Sequence, residues 1–245
     1  MKAIILAAGR GSRLKELTSG KPKCLNKLGG HPLINWQITA LRKAGVEEIV
    51  IVNGYQKEKL DNLGYKTFFN KEWESTQMVY SLLCAKTEFV NDIIVSYSDI
   101  LYESKVVAKL LESEREISVV YDKEWRNLWE DRFDSPLDDA ESFRISEEGQ
   151  ITEIGKSVDN INCIQGQYVG LLRFSSKFLK KLIEMENKNK ELYKKMDMTS
   201  LLQHLIQNSF KIYGVPIKGG WCEVDTEKDL KVATELLNRG KLKIK

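Results

Sequence analysis

The chain has little of what most nucleophilic and metal-centred enzymes depend on. Its two histidines are His31, after Gly29-Gly30 in a turn-like run, and His204, inside a helical pattern, so both read as surface or packing residues. No serine or cysteine stands in a pattern that suggests a catalytic triad. Cys24, Cys84, Cys163 and Cys222 are far apart and form no C-x-x-C pair. That spacing argues against a zinc site or a disulfide framework and for a reducing cytosol. No apolar run is long enough to span a bilayer, and with Lys2 alone before the first apolar segment a signal peptide is not expected. The 38 basic and 35 acidic residues are well mixed, with a net charge of +3, so neither nucleic acid nor a membrane surface is an expected partner. Repeats, low-complexity tracts and linkers are lacking too. At 245 residues and 42% hydrophobic, the chain fits a single domain over 1–245, with a first half to about 100 and a second half from about 101.

What is present concentrates at the front, in Lys2–Leu25. Ala3–Leu6 is an apolar, branched run suited to a buried central strand. It leads into Ala7-Ala8-Gly9-Arg10-Gly11-Ser12-Arg13. Small side chains and two glycines let such a turn approach a ligand closely and point its N–H groups at phosphate oxygens. Arg13 and Lys23 add a guanidinium and an ammonium, which together describe a seat for a triphosphate. Leu14 stands where a dinucleotide fingerprint needs its third glycine, and no Gly-Lys-Ser/Thr completes a Walker loop.

Strand and helix patterns alternate over the first hundred residues. Helices are expected at Pro32–Ala44 and Gln77–Lys86, and strands at Glu48–Val52, Lys66–Phe69 and Asp92–Tyr97. This alternation predicts an open α/β sheet with parallel pairing. The second half offers strands at Ile117–Tyr121, Gly166–Phe174, Phe210–Pro216 and Trp221–Val224, and a hairpin from Ser142–Ser146 and Gln150–Ile154. Helices are expected at Ser175–Glu186, Met198–Asn208 and Glu227–Asn238, with the charged stretch Glu186–Lys195 as a mobile surface link.

Ligands of open α/β sheets lie outside the carboxyl ends of the strands. Asp99 and Asp225 each follow an apolar strand, which puts both on the side of the Gly9 turn. Two carboxylates beside a triphosphate suit Mg²⁺. Asp225 also precedes Thr226-Glu227-Lys228-Asp229, so a plain helix-start acid is a rival reading. Trp125, Trp129 and Arg132 share one helical face, which serves either as an acceptor pocket or as core. An aromatic face would suit a quaternary ammonium.

The pattern LAAGxGxRL followed by Pro22-Lys23 resembles the opening of the nucleotidyltransferases that join a nucleoside triphosphate to a phosphorylated metabolite, the sugar-phosphate and phosphocholine enzymes among them. The rest of the chain is similar to their CTP-dependent branch. The similarity is carried by Glu74–Leu82 (with Gln77 where that branch usually has Asn), Trp125-x-x-x-Trp129-x-x-Arg132-Phe133, Pro136-Leu137-x-Asp139-Ala140-Glu141, Glu153-Ile154-Gly155-Lys156, Gln167-Tyr168-x-Gly170-Leu171, Met198-Thr199-Ser200-x-Leu202-Gln203 and Trp221-Cys222-Glu223-x-Asp225.

The resemblance implies a Rossmann-like α/β fold of the nucleotide-diphospho-sugar transferase type: a mixed, mostly parallel sheet flanked by helices, with a smaller acceptor-side β/α lobe. It assigns Arg13 and Lys23 to catalysis as triphosphate clamps. Nucleotide binding falls to Leu6, Ala7, Ala8, Gly9, Gly11, Ser12, Arg13, Lys23, Gln77, Met78 and Ser81, and Mg²⁺ to Asp99 and Asp225. Acceptor binding falls to Lys156, Trp125, Trp129, Arg132, Tyr168 and Glu223. The implied reaction transfers CMP from CTP to a small phosphorylated acceptor and releases pyrophosphate. Phosphoglutamine is ranked first as acceptor, then phosphocholine or 2-aminoethylphosphonate, and the product would serve surface-polysaccharide decoration from the cytoplasm. A sugar-1-phosphate nucleotidyltransferase and a non-catalytic nucleotide sensor are the alternatives. The oligomeric state stays open, with a homodimer as the form considered.

Overall fold

The run Lys2–Ala7 (β1) becomes a central strand because both its faces are apolar and both are covered: Ala3, Ile4 and Ile5 are wholly buried. The computed structural model describes residues 1–11, 13 and 20–244. Ser12, assigned above to the nucleotide, lies outside them.

Beyond β1, the first half supplies β2 (Lys27–Leu28), β3 (His31–Pro32), β4 (Glu48–Asn53), β5 (Lys66–Phe69) and β6 (Ile93–Tyr97), with helices α1 (Leu33–Lys43), α2 (Glu58–Asp61) and α3 (Met78–Cys84) between them. The second half supplies β7 (Ile100–Tyr102), β8 (Ile117–Asp122), β9 (Glu141–Ile145), β10 (Ile151–Ser157), β11 (Gln167–Phe174), β12 (Tyr213–Ile217) and β13 (Trp221–Glu223). Its helices are α4 (Ser104–Leu111), α5 (Trp125–Arg132), α6 (Ser176–Lys188), α7 (Lys190–Lys194), α8 (Met198–Gln207) and α9 (Glu227–Asn238).

Seven strands form the main sheet in the order β12-β8-β11-β6-β1-β4-β5. Neighbours are parallel except at β11, which runs antiparallel to both β6 and β8. This is the mixed, mostly parallel sheet expected. Its consequence is that the carboxyl ends of β1, β4, β6 and β8 share an edge with the amino end of β11. A bulge in β11 between Tyr168 and Leu172 turns that end toward the site. Gly170 permits it: its φ is +82°, and a Cβ there would sit 2.9 Å from the Tyr97 ring.

Two small antiparallel pairings of the second half stand outside the main sheet. β9 and β10 form the expected antiparallel hairpin. β7 and β13 pair antiparallel with Glu223 opposite Ile100, and Val224 N donates to Asp99 O at 2.9 Å. That register brings acids from distant parts of the sequence side by side.

The stretch expected to be a mobile link is ordered by specific contacts. Asn189 caps α7 by accepting from Leu192 N, Tyr193 is buried against His204, and Lys194 O accepts from Gln77 N at 2.8 Å. One buried aromatic and one cap anchor an otherwise charged run, and the segment in turn holds the start of α3 at the cleft. No helix among the described residues is long and apolar enough to cross a membrane.

Candidate functional site

Beyond the strand ends lies a cleft of two adjoining cavities, of about 280 and 230 Å³, which share Arg13, Met78, Tyr97, Asp99 and Asp225 as walls. The first is lined by Leu6, Ala8, Gly9 and Gly11 from the end of β1, by Lys23, and by Gln77, Met78 and Ser81 from the start of α3. Ala7 is buried within β1 and does not reach the cavity. Gly11 adopts φ +70°, and a Cβ on it would come within 2.6 Å of Lys23 Cβ, so the loop crosses Lys23 only because it carries no side chain. Trp73 and Thr76, given no role above, also line this side. Asn70, which has no motif to mark it, is wholly buried and donates to Thr76 Oγ1 and Ser81 Oγ at 3.0 Å each.

At the junction of the cavities, one carboxylate oxygen from each of Asp99, Glu223 and Asp225 falls within 4.8 Å of the others. Lys23, 8% exposed, bridges two of these acids: its Nζ donates to Asp99 Oδ2 at 2.8 Å and to Asp225 Oδ1. Arg13, two-thirds exposed, reaches Asp225 Oδ2 at 3.0 Å and Asp139 Oδ1 at 3.9 Å. Burial opposes the Lys23 ammonium, but the charges of Asp99, Asp225 and Glu223 outweigh it and hold its pKa above the usual value. Burial likewise works against Asp225, yet Lys23, Arg13 and Arg132 keep its carboxyl below the usual range. Glu223 goes the other way: desolvation, reinforced by Asp225 and Asp99, pushes it up to about 8 against the pull of Arg132 and Lys23.

Buried polar groups aim these acids. Gln37 of α1, wholly buried, donates from Nε2 to Tyr97 O at 2.8 Å and to Ile100 O, gripping the Ser98-Asp99 turn on both sides. Asp99 Oδ1 is buried and has no hydrogen-bond partner among the described residues. An acceptor atom without a donor, in a cluster of three close carboxylates, is the chemistry a divalent cation satisfies.

The second cavity is acidic. Tyr168 and Glu223 line it as expected, joined by Asp139, Glu141, Asp197 and Thr199. Burial raises the carboxyl pKa of both Asp139 and Glu141, helped by Asp225 at Asp139 and by Asp197 at Glu141. Asp139, Glu141 and Thr199 stood inside quoted sequence segments but were not assigned. Asp197 was missed, its only sequence signal being the helix cap it provides for α8.

Other acceptor-side candidates are placed elsewhere. Trp125 and Trp129 are each 1% exposed, and Trp129 packs against Trp221 and Phe133, so their shared face is core rather than pocket wall. Arg132 ends the same face, buried and paired with Glu223 and Asp229. Lys156 lies within β10, points to solvent and pairs with Glu153 at 2.8 Å, away from the cavity walls.

The family model of the MobA-like NTP transferase domain matches residues 3–205. The chain is 40% identical over 256 aligned residues to a CTP:phosphoglutamine cytidylyltransferase of Campylobacter jejuni, covering 96% of this chain and all of that one. It is 38% identical over 108 residues to a choline-phosphate cytidylyltransferase of Streptococcus pneumoniae, a match to 42% of this chain and 47% of that protein. Among solved structures, an inositol-1-phosphate CTP transferase from T. maritima superposes with a TM-score of 0.77 at 24% identity, covering 98% of this chain and 96% of that one.

Proposed function

We propose, from the premise that the chain belongs to the MobA-like NTP transferase domain family, that it is a Mg²⁺-dependent cytidylyltransferase which moves CMP from CTP to a small phosphorylated acceptor and releases pyrophosphate. The observation that carries this reading is the meeting of the glycine turn, Lys23 and three carboxylates at one junction of the cleft.

The residues divide the work by charge. The Ala8–Gly11 turn, which lines the first cavity, would offer backbone N–H groups to the triphosphate, and Gln77, Met78 and Ser81 would wall the nucleotide side. Lys23 and Arg13, at the junction beside Asp99 and Asp225, would bind the phosphates of CTP and stabilise the charge that develops on the pentavalent α-phosphorus. Asp99, Asp225 and Glu223 would hold Mg²⁺, which when bound neutralises phosphate charge. The attacking phosphate oxygen of the acceptor is already an anion, so no general base is needed. Among the described residues that line the cleft there is no histidine. Positioning of the two substrates across the junction supplies the remainder.

Phosphoglutamine is the best acceptor. Support comes from the full-length relative named for it, and from Asp139, Glu141 and Asp197, which suit an acceptor carrying an ammonium group. A choline headgroup loses its main argument, because the tryptophans that could have caged it are in the core. The non-catalytic sensor reading is disfavoured by the joint presence of Arg13, Lys23, Asp99 and Asp225. The CDP-activated product suits a cytoplasmic step feeding surface-polysaccharide decoration.

The test is pyrophosphate release across CTP, UTP and dTTP, each with phosphoglutamine, phosphocholine, 2-aminoethylphosphonate or glucose 1-phosphate, with Mg²⁺ or EDTA. Turnover with CTP and phosphoglutamine that EDTA abolishes is expected. Turnover with glucose 1-phosphate and none with the amino-bearing acceptors would move the protein to the sugar-phosphate branch.

A further inference from the structure

Beneath the acid cluster lies a buried ion pair that the chemistry above does not use. The Arg132 side chain is fully enclosed at the end of α5. Its Nε donates to Asp229 Oδ1 and its Nη1 to Glu223 Oε2, both at 2.9 Å, while Nη2 lies 3.9 Å from Asp225 Oδ2. The rings of Trp129 and Phe133 stand 4.6 and 4.9 Å from the guanidinium carbon and keep the fork from turning away. Asp229, in the first turn of α9, reaches back from the other side. Its Oδ2 accepts from Asp225 N at 2.9 Å, Thr226 N at 2.8 Å and Thr226 Oγ1 at 3.0 Å. A capping box requires the contact to Thr226 N alone. The grips on Asp225 N and on Arg132 go beyond what ending a helix needs.

We infer that Arg132 and Asp229 are positioning residues that fix Glu223 and Asp225 as ligands of the divalent cation. The inference rests on reading Asp99, Glu223 and Asp225 as the cation's holders. Three acids this close repel one another once all are ionised to take up a cation, and a side chain with free rotors would relieve the repulsion by swinging apart. The rigid fork of Arg132 denies Glu223 that freedom, and Asp229 denies it to the backbone of Asp225. A flexible ammonium cannot reproduce the two-point hold of a planar guanidinium. If the pair served only to tie α5 to α9, its loss would lower stability and leave cation affinity in the folded protein unchanged.

Mn²⁺ is the probe, with its uptake followed by the electron paramagnetic resonance of the free ion in the presence of CTP. Arg132→Lys keeps the charge but not the fork. Asp229→Asn keeps an acceptor for the two backbone N–H groups but loses the charge facing Arg132. Both variants, folded by circular dichroism, are expected to bind Mn²⁺ about 10–100-fold more weakly, the usual cost of losing an outer partner of a metal ligand, while CTP affinity in EDTA stays within about twofold. Should neither fold, Thr226→Ala, which removes one of the donors to Asp229, is expected to weaken Mn²⁺ binding about threefold. Mn²⁺ affinity within about twofold of wild type, in folded Arg132→Lys and Asp229→Asn or failing those in Thr226→Ala, overturns the inference, as does a wild type that takes up no Mn²⁺. The readout is independent of turnover. A wild type that binds Mn²⁺ yet releases no pyrophosphate with any acceptor ends the transferase reading and leaves this one standing.

Discussion

The two sides of the cleft meet at Asp99 and Asp225 but are made from opposite materials. The first cavity, proposed above as the nucleotide side, is lined by Ala8, Gly9, Gly11, Thr76, Gln77 and Ser81, small or neutral groups with Lys23 and Arg13 at its inner end. The second, proposed as the acceptor side, is lined by Asp139, Glu141, Asp197 and Glu223. A triphosphate brings its own charge and needs N–H donors and cations. A pocket of acidic side chains suits a molecule that carries positive charge to meet it, apart from the phosphate that on the proposed function faces the junction. The cleft is therefore polarised along its length, which on the proposed function would orient two substrates that both carry phosphate.

The contrast can be broken first at the junction. Asp225→Asn removes a charge that both sides share, and pyrophosphate release should fall about 10³-fold, the scale of losing a preorganised electrostatic group. Lys23→Met leaves two nearly buried acids facing each other. Stability measured by urea unfolding in EDTA should drop by about 3–5 kcal/mol, and added Mg²⁺ should restore part of it, as it does not need to in the wild type. On the acceptor side alone, Asp197→Asn should raise the KM for phosphoglutamine about tenfold or more while the KM for CTP stays put, since a hydrogen bond between charged partners is worth about 1.5–3 kcal/mol. A parallel rise in both KM values would mean the two sides are not separate. Trp125→Phe should cost about 1–2 kcal/mol of stability and leave both KM values unchanged, as fits a core residue. Lys156→Ala, whose side chain pairs with Glu153 in solvent, should change turnover by less than about twofold, as exposed pairs are weak.

The same contrast governs how much could be read from the sequence. The proposed nucleotide side comes mainly from two short stretches, the end of β1 with its turn and the start of α3, and in the first of them strand, turn and cation signals stand together in the chain. Asp99 and Asp225 were legible for a related reason: each ends an apolar strand, and strand ends in this architecture face the ligand. For Asp225 the two rival readings prove compatible, because Thr226 is the cap of α9 and Asp225 sits one residue before it. The acceptor side was harder. Glu223 could be read from the sequence either as an acceptor contact or as a neighbour of the metal site, and the register of β13 against β7 sets it beside Asp99 while it also lines the second cavity. The spacing of Trp125, Trp129 and Arg132 showed correctly that they share a helix face, but a face turned to the core and one turned to a pocket have the same period. Gln37 and Asp229 are polar residues that sequence patterning sends to the surface, and Arg132 could be placed on the tryptophan face but not given its partners. They are buried because each has found partners for its hydrogen bonds, and partners from distant segments leave no local trace.

The most direct test is anomalous diffraction from crystals soaked in Mn²⁺ and CTP. A shared cation site predicts a manganese peak within coordinating distance of Asp99, Glu223 and Asp225, with the triphosphate against the Ala8–Gly11 turn. Ordered CTP in the cleft with no manganese between those three carboxylates would contradict it.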